Sequence, residues 1–168
     1  MVATDPLYSP SSVPRWLTLI LAIVAGLQAL GSLRALPILF AGNPDVPGTT
    51  PGGLLIAATI LLSPPVAIAG FVFALKNDVA RAIMGIAGVS LLDWISYFPS
   101  FARHWDAGLF EFPGPFVFFV LPVCAPIAIF LVWRRLWPML AIGLGLAPFV
   151  FRSVMVIVFA VSVAIYGF

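Results

Sequence analysis

The chain has 168 residues, 62% of them apolar and only 8% charged, with a mean hydropathy of +1.17. A soluble domain carries about a quarter charged residues and just under half apolar ones, so this sequence lacks the polar surface to cover a globule in water, and lipid must solvate most of it. Its net charge of +2 comes from eight Lys or Arg against six Asp or Glu. The basic residues stand at segment ends rather than in a patch, which argues against nucleic acid as a partner.

Residues 1–14, MVATDPLYSPSSVP, hold three prolines, three serines and no basic residue. A signal peptide opens on a short cationic region, so this reads as a polar tail ahead of a retained first helix. Crossing a hydrocarbon core of about 30 Å takes roughly 20 apolar residues whose backbone bonds close within the segment. Residues 16–40 make the first such stretch. The link after it, AGNPDVPGTTPG, is too rich in Pro and Gly for helix. Residues 53–75 make the second stretch and 79–98 the third, joined by a tight turn at Lys76-Asn77-Asp78.

The segment 100–112 places Phe101, Trp105 and Leu109 at four-residue spacing with Arg103, His104 and Asp106 between them. That pattern predicts a short amphipathic segment lying in the interface. Residues 115–133 and 138–166 complete the set, linked only by Arg134 to Trp137 as a close antiparallel hairpin. The predicted fold is therefore all-α: one bundle of about five transmembrane helices over residues 15–168, behind the tail. With the N-terminus in the cytoplasm, Arg15, Lys76, Arg81, Arg134 and Arg135 fall inside and only Arg103 outside. This predicts an N-in, C-out protein of a cytoplasmic (inner) membrane.

Three ionisable residues fall within the predicted spans: Arg34, Asp93 and Arg152, separated by 59 residues and then 59 again. Helices one, three and five run in the same direction, so equal spacing predicts similar depth, in the outer part of the membrane. An unpaired charge at a helix centre costs about 2.5 to 3.5 kcal/mol on insertion scales. Asp93 is thus expected within reach of Arg34, Arg152 or both. As a functional site, two arginines and one aspartate would form a net positive pocket suited to an anionic headgroup, a small anion or a partner's carboxylate. As a structural one, the arginines snorkel and the aspartate pairs.

Other polar features point to less. Prolines 64, 65, 122, 126 and 148 fall inside predicted helices, where they remove backbone bonds and bend the chain. Pro64 precedes Lys76 by 12 residues, as Pro122 precedes Arg134, a spacing that a duplicated hairpin would give. His104, the single histidine, is the one residue that could ligate a pigment metal. His104, Asp106 and Glu111 match no catalytic or metal-ligand spacing. Cys124 is the only cysteine, which rules out an intrachain disulfide. No metal or other cofactor is expected, and bound lipid is. Small residues recur at Ala82, Gly85 and Gly88, and at Ala22 and Gly26, as close-packing faces.

These features give two expectations. The first is a non-catalytic accessory subunit that scaffolds a larger membrane complex with other membrane subunits. The second is a small transporter or channel for an anion or a lipid-like solute. No enzyme activity is expected.

Overall fold

The computed structural model describes residues 14–40, 50–99, 114 and 116–167. The polar tail up to residue 13 and the predicted interfacial segment lie outside the described residues, as do His104, Asp106 and Glu111. The helices are α1 (Arg15–Ala35), α2 (Pro51–Leu75), α3 (Val79–Ser96), α4 (Leu121–Arg134) and α5 (Pro138–Tyr166). A 3₁₀ turn, Leu36–Leu39, prolongs α1, and a π turn, Phe116–Val120, leads into α4. Among the described residues, five helical spans are long and apolar enough to cross a membrane. Their ends lie within two residues of those predicted.

The helix ends follow local chemistry. The Thr50 hydroxyl caps α2 by accepting the Gly53 N–H at 3.1 Å, and Pro51 takes the first turn, where no donor is needed. The turn after α2 puts Asn77 at φ 58, and the Asp78 N–H reaches back to the Phe73 carbonyl at 2.9 Å. Asparagine tolerates that left-handed backbone better than most residues. Asp78 then caps α3 through its Oδ1, which accepts the Arg81 N–H at 3.1 Å.

The hairpin between α4 and α5 is turned differently. It places two residues without glycine's freedom in the left-handed region, Arg135 at φ 54 and Trp137 at φ 40. Pro122 and Pro64 are not equivalent either. Pro64 and Pro65 lie inside α2, whereas Pro122 stands at the start of α4, where the wider π turn accommodates its ring and its missing donor.

The third helix is the axis of the bundle, because α1, α2, α4 and α5 all pack against it. Ala82, Ile83, Ile86 and Ala87 of α3 are sealed from the surroundings. The closest approach is between α2 and α3. A Cβ on Gly85 would sit 2.5 Å from the Gly70 Cα, and one on Gly88 would sit 3.2 Å from the Val66 side chain. The small-residue row predicted on this helix therefore meets another helix of the same chain. Gly26 of α1 similarly lies against the Phe71 ring of α2, and Gly145 of α5 against Ile83. Helices α1, α3 and α5 run parallel, as Gln28 meets Ile86 and Asp93 meets Arg152.

The first turns of α5 bury Pro138, Ala141, Ile142 and Gly145, and no later residue of that helix is buried. At the same end of the bundle, Asp78, Arg81, Trp133 and Arg135 border one recess. Arg134 lies over the rings of Phe130 and Trp133. This end carries the described cations Arg15, Lys76, Arg81, Arg134 and Arg135, together with the exposed Trp16, Trp133 and Trp137.

The Gly70–Gly85 crossing leaves no space for a methyl group, whereas Gly143 has open space around it. Gly85→Ala should force α2 and α3 apart and destabilise the protein by about 1 to 3 kcal/mol. Gly143→Ala should have little effect. Thermal unfolding in detergent, followed by size-exclusion chromatography, measures both variants against the wild type.

Candidate functional site: a polar-floored cleft at one end of the bundle

The described helices enclose a cleft of about 770 Å³ at the end of the bundle opposite the cationic turns, and all five elements contribute to its wall. That volume is within the range of small-molecule sites, about 300 to 1,000 Å³. The cleft flanks the last turns of α3, which contribute Val89, Ser90, Asp93 and Trp94 to its wall. Asp93 and Arg152 each stand 14 residues beyond the start of their helix, a climb of about 21 Å at 1.5 Å per residue. Helix α3 stops three residues later at Ser96, while α5 continues to Tyr166.

Arg152 and Asp93 form the ion pair on the cleft wall. Arg152 Nη1 donates to Asp93 Oδ2 at 2.9 Å, linking the C-terminal part of α3 to the middle of α5 across 59 residues of sequence. The arginine side chain is 66% exposed and the aspartate 43%, so both can meet a further molecule. A guanidinium has five N–H donors in a fixed fork, and one of them is committed to Asp93 here.

Arg34 does not line the cleft, and among the described residues it makes no ion pair. Helical phase separates it from the other two charges. The cleft face of α1 runs through Leu27, Gln28, Gly31, Ser32 and Ala35, and Arg34 is turned about 90° away from the middle of that face. The expected net positive trio is thus a neutral pair in the cleft, with the second arginine exposed outside it. The equal sequence spacing concealed this, because spacing speaks to height and not to the face of the helix a residue occupies.

One floor residue went unnoticed in the sequence. Gln28, the only glutamine, reaches from α1 to α3, where its Nε2 donates to the Ile86 carbonyl at 3.3 Å and approaches Ser90 Oγ at 3.5 Å. Its Oε1 is buried without a donor among the described residues. A lone amide inside an apolar span is costly to bury, and that cost was the available signal. Pro122 and Pro148 also line the cleft. Cys124 lies on α4 and bonds only back to the Val120 carbonyl. No group of three or more His, Cys, Asp or Glu able to hold a metal occurs among the described residues.

The chain matches no family model, no curated protein and no solved structure. The reading of the site therefore rests on its own geometry and chemistry.

A double-mutant cycle tests the pair. Asp93→Ala should lower the yield of folded protein, and adding Arg152→Ala should recover part of the loss, with a coupling of about 1 kcal/mol for two partly exposed partners. Adding Arg34→Ala instead should recover nothing. Quantitative fluorescence-detected chromatography of the four proteins measures the cycle.

Proposed function

We propose that this chain is a small, non-catalytic membrane protein that receives a lipid-like solute in the cleft between its helices, the second of the two expectations raised by its sequence. The observation that carries the reading is the cleft itself: an apolar-walled space of about 770 Å³ with one ion pair on its wall, Asp93 with Arg152. A polar head would meet the charged pair and the hydroxyl groups. An apolar tail would lie against such residues as Leu27, Val117 and Phe149. Pro122 in the first turn of α4 and Pro148 inside α5 both stand on the cleft wall.

The accessory-subunit reading has an observation of its own. Beyond Gly145, α5 buries no residue within the chain, and that stretch extends about 30 Å. Lipid or another subunit must cover it. The distribution of cations supports an N-in, C-out orientation in a cytoplasmic membrane, since Arg15, Lys76, Arg81, Arg134 and Arg135 share one end.

Gly31 lines the cleft, and a Cβ there meets nothing within 4 Å, so Gly31→Phe places a ring in the cavity without crowding the backbone. Protein purified in mild detergent should lose most of its bound lipid-like material on this change, with unfolding temperature and elution volume unchanged. Bound material equal to wild type would contradict the cleft reading. For orientation, a cysteine at Lys76 in a Cys124→Ala background should resist an impermeant thiol reagent applied to intact cells, and should react once the cells are opened. Labelling in intact cells would reverse the assignment.

A further inference from the structure

We infer that the cleft selects a phospholipid whose head carries a primary ammonium next to its phosphate, in preference to one with a quaternary ammonium or an uncharged polyol. This rests on the cleft being a lipid-binding site and adds the identity of the head.

Six Ser and Thr residues line the cleft: Ser32, Thr59, Ser63, Ser90, Ser96 and Ser153. Every one of them donates its hydroxyl proton to a carbonyl three or four residues earlier in its own helix, at 2.6 to 3.1 Å. A hydroxyl has one proton and two acceptor lone pairs, so what these groups retain is acceptor capacity. The Gln28 amide is committed in the same sense, with its N–H group turned to Ile86 and Ser90 and its oxygen left without a donor. Asp93 receives Arg152 on Oδ2, and its other oxygen is a further acceptor.

The wall is therefore rich in acceptors, and Trp94 and Tyr97, which also line it, add an indole N–H and a phenol group. Arg152 supplies the charged donors, through the N–H groups that Asp93 does not take. An occupant that satisfies both must combine an anion for Arg152 with a donor-bearing cation for Asp93 and the hydroxyl oxygens. A phosphate joined to a primary ammonium has that combination. Placed beside the pair, it would extend Asp93 and Arg152 into a set of alternating charges. A trimethylated ammonium carries the same charge and has no N–H to give. The apolar walls and the position of the pair near the end of α3 favour the acylated form over the free head.

The test uses the full chain in neutral detergent, with native mass spectrometry against phosphatidylethanolamine, its N-monomethyl and N,N-dimethyl forms, phosphatidylcholine and phosphatidylglycerol, all with the same acyl chains. Retention should fall stepwise as N–H groups are removed and reach about tenfold between the primary amine and phosphatidylcholine, the effect of one charge-assisted hydrogen bond. Asp93→Asn should remove that preference. Arg152→Gln should weaken retention of all five lipids. The methylation series needs only the wild type, so it decides the matter even where a variant does not fold.

Equal retention of the primary amine and phosphatidylcholine, with both lost in Gly31→Phe, would overturn this inference and leave the cleft reading intact. Retention insensitive to Gly31→Phe would overturn both. Displacement of bound lipid by millimolar free phosphoethanolamine would overturn the assignment to an acylated ligand.

Discussion

In helices long and apolar enough to cross a membrane, the need of every polar group for a partner governs the rest of the structure. Where water cannot reach, each polar group needs a partner within the protein or a cost of several kcal/mol remains. The backbone meets this demand by forming helices. The serines and threonines meet it by donating to carbonyls of their own helices. Asp93, which can neither donate when ionised nor extend far, meets it through Arg152. Gln28 satisfies its amide and leaves its carbonyl oxygen without a donor. The polar character of the cleft follows from this allocation: the hydroxyl protons go to the helices and leave acceptors, while Arg152 keeps the N–H groups that Asp93 does not take.

Packing around α3 determines where the allocation becomes useful. Gly70 and Gly85 let two backbones approach until no methyl group would fit, and the same helix takes contacts from all the others. A central helix of 18 residues extends about 27 Å, slightly less than a typical hydrocarbon core. The cleft lies alongside its last turns, where Val89, Ser90, Asp93 and Trp94 line it. The ion pair stands there, joining the C-terminal part of α3 to the middle of the 29-residue α5.

Much of the fold was legible in the sequence because bilayer thickness and hydropathy leave few alternatives. The spans, the tight turn at Asn77, the hairpin at Arg135 and the parallel course of helices one, three and five could all be read in advance. The small-residue row on the third helix was visible, but its partner was not, since Gly70 carries no mark of its own among the apolar residues of α2. The candidate site was legible in part. Asp93 and Arg152 stood out as charges in apolar surroundings. Arg34 stood out equally and differs by helical phase, which equal spacing along the chain does not show. Gln28 was overlooked because an uncharged amide weighs little in a search for charges, although inside a span it is also costly to bury. The committed hydroxyl protons could not be read at all, since they depend on side-chain conformation.

The central claim is that Arg152 engages a lipid phosphate from within the cleft while still paired with Asp93. Solid-state NMR of the protein in phosphatidylethanolamine bilayers measures this through dipolar coupling between guanidinium ¹⁵N and lipid ³¹P, with the Arg152 signal assigned by its loss in Arg152→Lys. The account predicts contact-range coupling at Arg152 that disappears in Gly31→Phe. A guanidinium at Arg152 with no coupling to phosphorus in the wild type would contradict it and leave the ion pair a purely structural bond between α3 and α5.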